Sequence, residues 1–196
     1  MTLQSFTLNA WAQAGAGAAA AFESIATATG TGSSGTITFS SIPSTYQHLQ
    51  IRYNAKDTTV AIGSNLNIQF NADSSNSYYY HSLIGDGSAA SATNAGGLDN
   101  RIVISEGVSA SQTSSPNMAN IMGVGIIDIH DYANTSKYKV VRHLTGMDAN
   151  FATTEASIRL TSANWNSTSA INQIKLYTTN FWTTSTTFAL YGIKGA

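Results

Sequence analysis

The residues with the strongest claim to chemistry are Asp128, His130 and Asp131 in the run DIHDY. On a strand, side chains two positions apart share a face at about 7 Å, so Asp128 and His130 could converge on a cation at a sheet edge. Two ligands fall short of a zinc site, which takes at least three from the protein. His48, His81 and His143 stand at no spacing that brings one of them to the pair. The run therefore reads as outward-facing polar residues ending a strand, and no metal is expected. Nucleophilic catalysis has no better footing: there is no G-x-S-x-G elbow, and serine is too frequent for a Ser-His-Asp set to be picked out. A carboxylate pair for glycoside hydrolysis would have to come from only ten acids, among them Asp86, Asp99, Glu106 and Glu155, and no spacing singles two of them out. Gly123 and Gly125 lie within a strand pattern, where glycine marks a bulge or close packing and not a phosphate loop. The expectation is no catalytic residue, no cofactor and no enzyme.

Aromatic residues are the remaining candidates for recognition. In the run Tyr78-Tyr79-Tyr80 a strand would turn Tyr79 to the face opposite its neighbours. Trp165 in SANWNST and Phe181-Trp182 in TTNFWTTS sit in polar, turn-like contexts. Tyr79, Trp165, Phe181 and Trp182 are thus the candidate surface-binding residues, suited to stacking on sugar or on another protein. The competing reading, which is the stronger, has them sealing the ends of the fold or a subunit interface.

The elements that would position these residues are strands. Ile37 and Phe39 share a face in TITFSSIP before Pro43 stops the ladder, and Leu49, Ile51 and Tyr53 alternate with outward His48, Gln50 and Arg52. Leu66, Ile68 and Phe70 repeat the scheme; Tyr78 to Gly85 form a further strand, and Ile102 and Ile104 another. Ile127 and Ile129 alternate with Asp128 and His130. YKVVRHLTG follows, then TEASIRLTS with Ile158 and Leu160 as its apolar set. The last pair of strands carries Ile174 and Leu176, then Phe188 and Leu190, which should tie the C-terminal stretch into a sheet. DGSAASATNAGG and residues 109–117 read as long surface loops. About ten strands with period-two alternation predict an all-β, antiparallel β-sandwich, most simply a jelly roll, with a closed barrel as the alternative.

Composition narrows the partners. Charged residues make up 10% of the 196, and nine Lys and Arg face ten Asp and Glu, so no basic footprint for nucleic acid exists. The surface is built from Ser, Thr, Asn and Gly, as in secreted or virion proteins that pack against neighbours. There is no cysteine, so disulfides and Cys-based zinc sites are excluded. No run of about 18 apolar residues spans a membrane, and the Ala-rich run from Ala12 to Ala21, broken by Gly15 and Gly17, is a poor signal peptide. Residues 1–34 read as an N-terminal anchoring arm, with Leu3, Phe6, Leu8 and Trp11 as candidate anchors, or else as a first strand and a lead-in. Residues 35–196 read as the sandwich domain.

Several segments carry a resemblance. TITFSSIPSTYQHLQIRYNAK, IIDIHDYANTSKYKVV, the Asn-Phe of TTNFWTTST and the ending TFALYGIKG resemble a group of tailed-bacteriophage virion structural proteins. The most specific pieces are Ser41-Ile42-Pro43 with Tyr46 and Leu49, and Leu190-Tyr191-Gly192-Ile193. The resemblance covers about residues 35–195 and brings across no catalytic residue. It implies a virion component, most simply a homotrimeric short tail fibre or receptor-binding appendage that uses the arm to dock on baseplate or tail proteins and offers loop tips to a host cell-surface glycan. A capsid decoration protein on the head is the alternative, and a carbohydrate-binding or carbohydrate-active jelly-roll module ranks third.

Overall fold

A computed structural model describes residues 21–61, 63–109, 120–148 and 157–195. Twelve strands lie among them: β1 (Phe22–Thr29), β2 (Thr36–Phe39), β3 (His48–Ala55), β4 (Gly63–Phe70), β5 (Tyr78–Gly85), β6 (Ala90–Asn94), β7 (Ile102–Ser109), β8 (Gly123–His130), β9 (Lys139–Met147), β10 (Ser157–Trp165), β11 (Ile174–Tyr177) and β12 (Thr187–Ile193). β6 has no expected counterpart, and β1 answers to the first strand that the alternative reading of residues 1–34 allows. β6 is exposed at every position, so its strand form comes from pairing with β5 and not from an apolar face. The antiparallel sheets are unequal, one of eight strands in the order β1-β12-β3-β8-β9-β10-β5-β6 and one of four in the order β2-β11-β4-β7.

Between the sheets, the alternating apolar positions meet in one core. Leu49, Ile51, Ile127, Ile129, Phe188 and Leu190 come from the large sheet, and Phe39, Leu66, Ile68, Phe70, Ile102, Ile104, Ile174 and Leu176 from the small one. The outward residues expected in β3 are the ones that face out: Arg52 is exposed, and His48 and Gln50 are partly so. A four-stranded sheet cannot cover an eight-stranded one. Two blocks of four match, β1-β12-β3-β8 and β2-β11-β4-β7, while β9, β10, β5 and β6 extend the large sheet past β8. Of the small sheet, its edge strand β7 packs against β9, β10 and β5, and Phe70 at the end of β4 reaches Tyr78 of β5 and Trp165 of β10.

The fold begins before the expected boundary. β1 pairs along its length with β12, from Phe22 opposite Ile193 to Thr29 opposite Thr187, so ending an arm at residue 34 cuts off the first strand of the sheet. Residues 1–20, with Leu3, Phe6, Leu8 and Trp11, lie outside the described residues.

Pro43, Tyr46, Tyr132 and Gly192 meet at one corner. The Tyr132 hydroxyl donates to the carbonyl of Pro43, and the backbone N–H of Ile171 donates to the carbonyl of Tyr132 at 2.9 Å. Pro43 follows β2 and Ile171 precedes β11, both of the small sheet, whereas Tyr132 follows β8 of the large one. The corner therefore ties sheet to sheet. Beside it the ring of Tyr46 lies on Gly192, where an added Cβ would stand 2.3 Å from the ring. The Tyr46 hydroxyl donates to Glu23 at 2.9 Å, and Glu23 also pairs with Lys194.

Gly192 is thus demanded by the close approach of an aromatic ring. Gly192→Ala should destabilise the protein by about 1–3 kcal/mol, because the ring or the strand must shift to admit the methyl group. Urea unfolding of the two proteins measures it; an unchanged midpoint would refute the packing argument.

Candidate interaction surface

The four aromatic candidates divide. Tyr79 is 39% exposed on the outer face of the large sheet, and Phe181 is 49% exposed beside Thr58. Trp165 and Trp182 are core residues, at 3% and 0% exposure, and are not presented to a ligand. Trp165 ends β10 with its ring against Phe70 and Tyr78, and its indole N–H donates to Asp73 at 2.7 Å. Burial pushes the Asp73 carboxyl up, but donors from Ser75, Trp165 and Ser77 outweigh it and bring it down to about 2. Trp182 packs edge-on to Phe188 and forms a bridge with Asp57. Their polar sequence neighbours face solvent, which is why the pattern around them reads as turn. Structure thus brings no pair of the four together as a binding platform.

The polar residues of DIHDY are also engaged. Asp128 accepts from Gln50 at 2.8 Å and from Arg142 at 3.0 Å, and Arg52 donates to Gln50 at 2.9 Å. His130 stands edge-on to His48, with ring centroids 5.0 Å apart. Asp131 turns the chain at a φ of 46°, and its hydrogen bond from Lys137 holds its carboxyl below the usual range. Among the described residues no three such side chains stand where they could hold a metal ion.

These contacts lie on the most distinctive surface of the molecule, the outer face of the large sheet. At its β1 end Arg52 sits against Phe22 and Tyr191, its guanidinium 5.9 and 5.7 Å from the ring centroids. Next comes the ladder Gln50–Asp128–Arg142, one residue from each of β3, β8 and β9. Beyond it the face is aliphatic. Strand register places Ile126, Leu144, Leu160 and Leu83 in one row across β8, β9, β10 and β5. The next row runs Val124, Gly146, Ile158 and Gly85. Ile158 is 59% exposed and Leu160 46%, so the apolar set expected to enter the core from β10 faces solvent, and Arg159 and Thr161 face inward. The phase of the strand is set by Ala163 and Trp165, which must reach the core, and a period of two then forces Leu160 and Ile158 out.

The inner side of this extension is correspondingly polar. His143 is buried, with Nε2 2.8 Å from the Tyr53 hydroxyl; that hydroxyl donates to Thr145 at 3.0 Å, and Thr145 donates to the carbonyl of Val124 at 2.8 Å. With the Tyr53 proton used on Thr145, His143 serves as the donor from Nε2 and is neutral. Burial lowers its pKa to about 3, and Nδ1 finds no partner among the described residues. Tyr53 itself lies over Gly125, where a Cβ would stand 2.5 Å from the ring. Lys139, fully buried, gives its Nζ protons to the carbonyls of Asn134, Lys137 and Thr168 at 2.5, 2.9 and 3.1 Å.

The face had one sequence signal. In KVVRHLTGM both alternating sets contain apolar residues, so neither is unambiguously the inner one.

Two predictions follow from burial. Trp182→Ala should cost about 3–5 kcal/mol and Phe181→Ala within about 0.5 kcal/mol, read by chemical denaturation; similar values for the two would contradict their placement. A histidine with a lowered folded pKa contributes stability that is complete above the unfolded value near 6.5 and is lost as pH falls toward about 3. The wild type should therefore lose up to about 1.4 kcal/mol per pH unit in that window, and His143→Gln should flatten the loss above pH 4.5, where few carboxyls titrate. Parallel denaturation curves at pH 7 and 4.5 decide it.

Compared with protein-family models, with curated proteins and with solved structures, the chain matches none.

Proposed function

We propose that the chain is a structural component of a tailed-bacteriophage particle, a short tail fibre or receptor-binding appendage. The observation that carries this reading is the outer face of the large sheet, where a row of leucines and isoleucines stands exposed on a chain of low charge. Contiguous exposed apolar surface marks contact with other macromolecules. A broad sheet face suits assembly better than capture of a small molecule. The segments that resemble virion proteins support the reading: Pro43, Tyr46, Tyr132 and Gly192, drawn from three of them, pack at one corner as a structural unit. We further propose that β1, β2, β3, β4, β7, β8, β11 and β12 form a jelly roll, their two blocks of four interleaving early and late strands, with β5–β6 and β9–β10 as insertions.

In this reading the protein is no enzyme and takes no cofactor or metal. It is a homo-oligomer in the virion, residues before Phe22 dock on baseplate or tail proteins through Leu3, Phe6, Leu8 and Trp11, and Tyr79 and Phe181 are the aromatics left to meet a host glycan. A second reading, decoration of the capsid surface, draws on the same face, since an apolar sheet gives buried contact area.

Cryo-electron microscopy of particles carrying the protein should find its density on the tail, with the N-terminal residues entering a neighbour. Particles lacking it should adsorb at least tenfold less to host cells. Density on the head with normal adsorption would replace the fibre by the decoration protein, and particles free of the chain would end both.

A further inference from the structure

The exposed face is also specific about what covers it. We infer that the outer surface of β8, β9, β10 and β5 is where a second copy of this chain packs. The inference rests on the proposed assembly role and names its nearest partner.

Area is the first argument. Four strands about 4.8 Å apart, each of eight or nine residues rising about 3.3 Å, present a face of roughly 500 Å². Adding the flanking outer positions of β3 and β12 brings it to the roughly 800 Å² that a stable interface takes from each partner. The layout is the second. The centre holds Ile126, Leu144, Leu160, Leu83 and Ile158 with no charged group among them, and the margin holds Asp128, Arg142, Gln50 and Arg52. An apolar centre within a polar rim, with arginine and aromatic residues at the margin, is the anatomy of a protein–protein interface.

Self-complementarity is the third, and it selects a copy of the chain over a different protein. Gly146 and Gly85 stand in register on either side of Ile158, so each side-chain ridge lies beside a hollow of the same face. Three hollows, of about 430, 370 and 250 Å³, run along these rows and share Gly85, Val124, Leu144, Gly146 and Ile158 among their walls. A facing copy supplies ridges of matching size. The rim also carries both signs, Asp128 beside Arg142, so a face meeting its own kind can set acid against base. Two sheet faces packed in this way lie about 10 Å apart with their strands near parallel.

The test uses the full chain, whose lack of cysteine allows one thiol to be placed at will. Sedimentation at micromolar concentration should give a multiple of 20.6 kDa. Leu160→Glu should raise the dissociation constant at least 100-fold with an unchanged circular dichroism spectrum. Leu160→Cys, smaller but uncharged, should remain oligomeric and react with a thiol reagent at least tenfold more slowly than Ser33→Cys, at an exposed loop; it also decides the matter if the charged variant fails to fold. A wild-type monomer overturns the inference, whether its Leu160→Cys thiol is open or is shielded by the chain's own residues. So does an oligomer that Leu160→Glu leaves intact. A monomer still found in particles would refute this interface alone, whereas an oligomer absent from particles would refute the virion reading alone.

Discussion

Two sheets of unequal width stay together only if something besides apolar burial fixes their relative position, and the hydrogen bond from Tyr132 to the carbonyl of Pro43 lies where that happens. It links the end of β8 to the end of β2, and the neighbouring bond from Ile171 to Tyr132 carries the link on to β11. A buried tyrosine needs a partner for its hydroxyl, and a carbonyl preceding a turn needs a donor once the ladder has stopped at proline. Each group meets the other's requirement. The corner thus holds the end of β8 in the large sheet to the segments that flank β2 and β11 in the small one.

Most of the fold was legible because most strands have one apolar and one polar set. In β3, Leu49, Ile51 and Tyr53 against His48, Gln50 and Arg52 leave no choice of face, and Ile127 and Ile129 do the same for β8. β1 was only an alternative to an arm because FESIATAT, mostly small and hydroxyl residues, owes its strand form to its partner β12. β6 escaped for the same reason on the other edge. The candidate site was less legible. Trp165 lies between two asparagines and Trp182 ahead of a run of threonines, and sequence cannot show that an indole N–H such as that of Trp165 has the Asp73 carboxylate waiting for it. The outer face was hidden by an inverted phase: Ile158 and Leu160 look like core residues until Trp165 claims the inner side.

Inversion in the extension has two faces that explain each other. Polar side chains turned inward on β9 and β10 are tolerated because each finds protein acceptors or donors. Lys139 reaches three carbonyls, Ser82 bonds Thr161 at 2.7 Å, and His143, Tyr53 and Thr145 form a chain ending on a backbone carbonyl. Such a network, satisfied but for His143 Nδ1, helps to fix the strands. Fixed strands are what a broad outer face needs if it is to meet another surface without first paying the entropy of ordering them.

The pairing of β1 with β12 places the first described strand beside the last, Phe22 opposite Ile193. A ribosome that has made β1 through β11 has therefore made a large sheet with a gap between β1 and β3, since β12 fills that place. Until it is supplied, β3 presents an unpaired edge and β1 has no neighbour at all, the state in which strands are prone to join those of another nascent chain. Closure therefore waits for β12, slow as non-local β pairing is slow, and the cell that makes this protein must keep its chains apart through that interval.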